Sequence, residues 1–311
     1  MNAPLHGAEP LERLPYRGPG RRGAAPVPGP PRRWRGAPAR AGGPPSGLAL
    51  PPHDRLARWR AGRPLKRWRY VGVFGSELMI CVGDVRVGPA RQTFWALWDR
   101  TRRRLHQRTG LLSHRHLELS EGRVRVRQGG VCLELEIDED DGVETVCRAG
   151  RAYTWTRKQG GVAARGEARL DGRRVPVKAR AVIDDSAGYH PRPTRWRWSA
   201  AVGEDQHGQP LAWNLVSGIN DPPRHSERTL WVAGEPSEVA PVHFAEDLSA
   251  IVFEQGERLA FSVEARRARR DNLLLVRSDY EQPFGTFSGV LPGGTEVREG
   301  RGVMERHEAF W

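Results

Sequence analysis

The stretch 184–231 concentrates groups able to move protons. It opens with Asp184-Asp185-Ser186-Ala187-Gly188-Tyr189-His190 and runs through Trp196-Arg197-Trp198 and Trp213-Asn214-Leu215-Val216-Ser217-Gly218. It closes with Ser226-Glu227-Arg228-Thr229-Leu230-Trp231. Adjacent carboxyls beside aromatics can act as general acid or base, because crowding and desolvation both raise a carboxyl pKa. Asp185 is the first candidate, with Tyr189 and His190 as its proton-transfer partners. An Asx-type turn, whose Asp side chains accept backbone N–H bonds, explains the Asp and Gly residues equally well, but not the Tyr-His pair. A second candidate pair is Glu305 and His307, which share one face of a strand at i, i+2. The competing reading is a closing strand pinned by Phe310 and Trp311.

Ligand-contact candidates follow from the same stretches. Trp196 and Trp198, two residues apart, form one aromatic wall. Trp213 and Asn214 mix an apolar body with groups that need hydrogen-bond partners. Glu227 and Arg228 face opposite sides of a regular strand, so one of them points inward and needs a partner or a ligand. Glu281 and Phe284, in Tyr280-Glu281-Gln282-Pro283-Phe284-Gly285, complete the set. Structural hydrogen-bond networks account for these residues as well as a pocket does.

Other chemistries find no local support. GxGxxG, P-loop, HExxH and GxSxG patterns are absent, and Gly285-Thr286-Phe287-Ser288-Gly289 has its serine displaced. His114 and His116 would lie on one side of a strand with His106 on the preceding one, without evident further ligands. Neither a metal nor a cofactor is expected.

The elements that must carry these residues are strands. Val124 and Val126 alternate with arginines, and Val131, Leu133, Leu135 and Ile137 alternate with polar residues across a Gly129-Gly130 turn. Similar short runs recur to the C-terminus, among them 152–157 and 162–170, with turn signals at Asp171-Gly172, Gln255-Gly256 and Gly293-Gly294. Strand following strand at this spacing predicts an all-β protein of two consecutive antiparallel barrels or barrel-like sandwiches, since closure removes unpaired edges. The expected division is an arm over 1–63, one barrel over 64–185 and another over 186–311.

The arm is rich in Pro, Gly and Arg, as in Pro26-Val27-Pro28-Gly29-Pro30-Pro31, and predicts a disordered tail, with Leu14-Pro15-Tyr16-Arg17-Gly18 as an anchored strap. The net charge of +13 resides there: residues 1–70 carry a surplus of twelve positive charges and the remainder a surplus of one. A nucleic-acid partner is therefore not expected for the folded part, and only the arm offers weak contact to nucleic acid or an anionic membrane surface. No apolar run is long enough to span a bilayer, and Met1 to Pro10 lacks the features of a secretory leader. Three scattered cysteines, Cys81, Cys132 and Cys147, predict reduced thiols and a cytoplasmic setting. The sequence does not indicate an oligomeric state.

The quoted stretches, together with Pro64-Leu65-Lys66-Arg67-Trp68-Arg69-Tyr70 and Gly302-Val303-Met304-Glu305-Arg306-His307, resemble the bacterial family DUF2804, a domain of unknown function. The resemblance spans about residues 14–20 and 62–311 and implies no activity. More distantly, the Asp-x-Ser-x-Gly turn followed by Trp-x-Trp resembles the carotenoid-hydratase and tocopherol-cyclase-like group. That resemblance implies two lipocalin-like barrels and isoprenoid substrates handled without a redox cofactor. The group's turn runs Asp-His-Ser-Trp-Gly-x-Arg; here Asp185, Ala187 and His190 replace the His, Trp and Arg, so the turn geometry carries over better than the acid–base set.

Two functions follow as expectations. One is binding of a lipophilic, isoprenoid-like molecule in or between barrels. The other is cofactor-free hydratase- or cyclase-like catalysis by the carboxyl, Tyr and His groups.

Overall fold

Alternation of side chains drives the architecture. In the strand Val131–Ile137 every second residue is buried and the intervening ones are exposed, so one face meets a core and the other meets water. Its hairpin partner Arg123–Gln128 pairs in register across Gly129 and Gly130, both at positive φ. The computed structural model of the chain describes residues 10–22, 45, 47–111, 115–273 and 276–310.

A short 3-10 turn, Pro10–Arg13, precedes β1 (Tyr16–Pro19), β2 (Trp59–Arg60) and β3 (Arg63–Pro64). The first large sheet then builds from β4 (Lys66–Phe74), β5 (Leu78–Val87), β6 (Ala90–Asp99), β7 (Arg104–Leu111) and β8 (Leu117–Ser120). It continues with β9 (Arg123–Gln128), β10 (Val131–Ile137), β11 (Val143–Ala149), β12 (Ala152–Leu170) and β13 (Arg173–Gly188). The second sheet comprises β14 (Pro193–Asp205), β15 (Pro210–Ser217), β16 (Thr229–Val232), β17 (Glu235–Glu238) and β18 (Val242–Phe244). Strands β19 (Ala250–Phe253), β20 (Arg258–Leu273), β21 (Val276–Leu291) and β22 (Thr295–Phe310) complete it.

The first sheet runs β7-β6-β5-β4-β13-β12-β10-β9-β8, with β11 on β12 and β1 on β11; the second runs β17-β16-β15-β14-β22-β21-β20-β19-β18. Both are antiparallel, and each curls around its own interior. Among the described residues the end strands of each path do not pair, so both barrels keep an open seam. The expected all-β, double-barrel architecture is what the chain forms.

One difference from the sequence reading concerns segmentation. Residues 152–157 and 162–170 belong to a single 19-residue strand, β12. A bulge between Gly160 and Val162, with Gly161 at φ +77°, bends the strand instead of ending it. The Asp171-Gly172 turn falls where expected, with both residues at positive φ.

Each barrel has a packed interior. Val71, Val73, Ile80, Leu97, Leu133 and Ile183 belong to the first core, and Trp213, Leu215, Ile251, Phe261, Phe287 and Met304 to the second. A third cluster lies between the barrels and uses outward faces of both: Tyr70, Met79, Trp98 and Val182 from one, Trp198, Val216, Trp231 and Phe284 from the other. Polar bonds cross the same junction. Trp98 and Arg100 donate to the Glu264 carboxylate at 2.7–2.8 Å.

Part of the arm packs on this frame. Strand β1 adds to β11, while Leu48, Leu50 and Leu56 bury against Tyr153, Trp155 and Tyr189. Arg21 forks onto the fully buried Glu144 carboxylate. The Pro-rich stretch 26–34 and His114 lie outside the described residues.

Candidate functional site

The outward faces do not pack everywhere. Where β4, β5 and β6 approach β14, β20, β21 and β22 they leave a cavity of about 270 Å3. Trp68, Tyr70 and Phe94 wall it from the first barrel, Trp196 and Trp198 from the second. Val85, Val87, Val216 and Ile219 add aliphatic surface. Apolar walls with a few convergent polar groups are the usual make-up of a small-molecule site.

Register sets the polar groups. On β14, Trp196 and Trp198 share the outer face; β22 pairs His307 with Trp196 and Glu305 with Trp198. Tyr280 of β21 then lies opposite His307. The Glu305 carboxyl accepts the Trp196 indole N–H at Oε1 and the Gln282 amide at Oε2, both at 2.8 Å. Burial pushes this carboxyl up to about 7, against the opposing pull of the Trp196 bond and the Arg267 charge. His307 stacks 4.2 Å from the Trp196 ring, and its Nε2 lies 2.8 Å from the Ser278 hydroxyl. Burial, reinforced by Arg267, lowers the imidazole to about 3, so it is neutral at ordinary pH.

A second acid group borders the cavity. Glu227 accepts from Asn220 at 3.2 Å and lies 3.4 Å from the Lys158 ammonium, which also pairs with Asp184. Burial raises the Glu227 carboxyl above its ordinary range against the pull of Lys158. Asn214 braces this region from behind, accepting the Trp198 indole N–H at 2.8 Å and donating to the Glu227 backbone carbonyl at 2.9 Å.

Of the residues expected from sequence, the cavity gathers Glu305, His307, Trp196, Trp198 and Glu227, with Asn214 behind them. The others are elsewhere. Asp184 and Asp185 point to opposite faces of β13, and it is Asp184 that meets the cavity. Asp185 turns into a separate open cleft and is held by Arg69 at 2.7 Å and Arg157 at 2.9 Å. Tyr189 donates to the Ala57 carbonyl at 2.8 Å in the cluster that receives the arm. His190 stacks on Trp68, with both ring nitrogens buried and, among the described residues, without hydrogen-bond partners. Trp213 is core, edge-on to Phe287, and Phe284 fills the inter-barrel cluster. Arg228 donates to the Val239 and Pro222 carbonyls. Glu281 pairs with Arg266 and Arg306 on the opposite face of β21. The Asp185, Tyr189 and His190 set therefore does not converge with Glu305 and His307 on one pocket.

Sequence reasoning passed over Trp68, Tyr70, Phe94, Asp184, Tyr280 and Arg267 as cavity residues. Trp68 and Tyr70 carried a usable signal, the i, i+2 spacing that flagged Trp196 and Trp198. Arg267 sits in the run Arg266-Arg267-Ala268-Arg269-Arg270, which reads as a solvated face. Among the described residues, no group of three or more His, Cys, Asp or Glu could hold a metal.

A family model described as a domain of unknown function, DUF2804, matches residues 113–311. The chain belongs to this family. No curated protein matches the DUF2804 sequence. Among solved structures, the DUF2804 chain is similar to kievitone hydratase from Nectria haematococca, with a TM-score of 0.51 and 11% identity, over 78% of this chain and 88% of that one. It is also similar to an AttH-type protein from Nitrosomonas europaea, with a TM-score of 0.46 and 13% identity, over 84% and 97% of the respective chains. These neighbours are lipocalin-like double barrels, and at this identity what the hydratase shares with the DUF2804 chain is the fold. No helix among the described residues is long and apolar enough to cross a membrane.

Proposed function

We propose that the inter-barrel cavity binds a small apolar, isoprenoid-like molecule and that Glu305 transfers a proton to it, in the manner of a cofactor-free hydratase or cyclase. The observation carrying this reading is a buried carboxyl, pushed up to about 7, set into the aromatic wall of the cavity. Near neutral pH such a group is partly protonated and close to the best compromise between acid strength and availability.

The chemistry balances on this chain's own residues. The Glu305 proton adds to one alkene carbon and the π pair becomes the new C–H bond. The cation left on the other carbon faces the Trp196 and Trp198 rings, which attract positive charge. Water, or a hydroxyl of the same molecule, forms the C–O bond and returns its proton to the Glu305 carboxylate. His307, neutral and bonded to Ser278, borders the cavity against the Trp196 ring and keeps that wall in place. A hydratase on the same fold is compatible with this, but fold alone assigns no chemistry. Free cysteines at 81, 132 and 147 suit a cytoplasmic setting.

Carriage without turnover is the second reading, favoured by the predominance of apolar walls. One experiment separates them: incubation with geraniol or farnesol in deuterated water, followed by mass spectrometry. Catalysis installs deuterium on carbon, falls as pH rises through about 7, and drops at least about a hundredfold in Glu305→Gln. Binding without deuterium uptake supports the carrier.

A further inference from the structure

Four arginines line the inter-barrel cavity, and three have a carboxylate partner. Arg69 pairs with Asp185 and Glu139, Arg91 with Asp84, and Arg269 with Asp271. Arg267 has none within salt-bridge distance among the described residues, although it is only 3% exposed. Its guanidinium lies between two aromatic faces, 4.3 Å from the Phe94 centroid and 4.9 Å from that of Tyr280. Its hydrogen bonds are to neutral hydroxyls, Tyr280 at 2.9 Å and Thr109 at 3.1 Å. A guanidinium has five N–H donors in a planar fork, so most of this one's capacity is uncommitted. A buried cation with no carboxylate in direct contact is unfavourable, and the carboxyl its charge acts on, Glu305, is itself pushed up to about 7 by burial.

We propose that Arg267 is the anchor for an anionic oxygen group on the ligand, so that the molecule taken into the cavity is an apolar carboxylic acid, its carboxylate on Arg267 and its hydrocarbon body against the aromatic wall. This rests on the cavity being the ligand site and adds the class of molecule. The fork geometry of Arg suits a planar carboxylate, and contact with the Phe94 and Tyr280 rings limits the freedom of this guanidinium. Anchoring there also serves the acid group. Arg267 is one of the charges holding the Glu305 carboxyl down, and a bound carboxylate offsets it, leaving Glu305 more fully protonated beside the substrate. An acid ligand would thus load its own proton donor. Arg267 is, in this role, a positioning and specificity residue rather than a catalytic one.

The test compares geranic acid, methyl geranate and geraniol, which share one hydrocarbon body and differ at the head, by calorimetric titration at pH 8, where the acid is ionised. The expected result is that the wild-type protein binds geranic acid at least about tenfold more tightly than the ester or alcohol. Arg267→Gln should remove the preference, bringing the acid to the level of the ester with a loss at least about tenfold larger for the acid than for ester or alcohol, and Arg267→Lys should restore part of the difference. Equal binding of acid and ester by the wild type overturns the inference even if Arg267→Gln fails to fold. So does a loss in Arg267→Gln that is the same for all three molecules, which would mark a structural residue. Failure of all three to bind the wild type overturns the cavity reading itself, and the inference with it.

Discussion

At the scale of single residues, the decisive feature is a carboxyl that burial pushes up to about 7. Glu305 is raised from an ordinary value of 4.5 to about 7, so between these values the folded chain holds a proton that the unfolded chain releases. Stability from this group is therefore complete below about 4.5 and is lost as pH rises through 7, by on the order of 3 kcal/mol. Glu305→Gln removes that slope. Its melting temperature should gain on the wild type between pH 5 and pH 8, and a constant difference would show that the carboxyl is not raised. The substitution is geometrically reasonable because the neighbouring Gln282 Oε1 has no hydrogen-bond partner among the described residues and can accept from the new amide after a flip. Much of this site was legible: Trp196, Trp198, Glu305 and His307 follow from i, i+2 spacing on strands. Asp185 misled because adjacency hides facing; one step along β13 exchanges the cavity for the cleft. Arg267 could not have been read, since its neighbour Phe94 lies on a strand of the other barrel.

At the scale of elements, local alternation made the strands readable, and long-range curvature did not announce itself. The Val131–Ile137 hairpin strand and the Asp171-Gly172 turn were plain in the residue types. The bulge in β12 was not, because a Gly-Gly pair reads equally as a turn. Packing explains the glycine at its start: a Cβ on Gly160 would come within 2.3 Å of the Trp231 ring, which belongs to the second barrel. The absence of a side chain lets the two barrels approach. Gly160→Ala should lower stability by about 1–3 kcal/mol, measured by urea unfolding. A neutral result would mean that Trp231 moves freely and does not brace the junction.

At the scale of the whole molecule, the two barrels are joined by more than the short link from Gly188 to Pro193. Arg17, on the arm strand β1 that pairs with the first barrel, reaches into the second. It donates to the Ser226 carbonyl at 2.6 Å and to the Thr229 hydroxyl at 3.0 Å. Arg17→Ala should cost on the order of 2 kcal/mol and broaden or split the calorimetric transition as the barrels unfold less cooperatively. A single transition at the wild-type temperature would show that the clasp contributes nothing.

The position of the cavity, outside both packed interiors, has an evolutionary consequence. On β4, Val71 and Val73 belong to the core while Trp68 and Tyr70 line the cavity. On β22, Met304 is core while Glu305 and His307 face the cavity. Alternation along a strand thus gives the barrel interior and the cavity lining to residues one position apart, with Tyr70 and Trp198 also packing the cluster that joins the barrels. On the proposed reading, descendants of such a chain would exchange one molecule for another by rewriting every second residue at the junction, with neither interior having to be rebuilt.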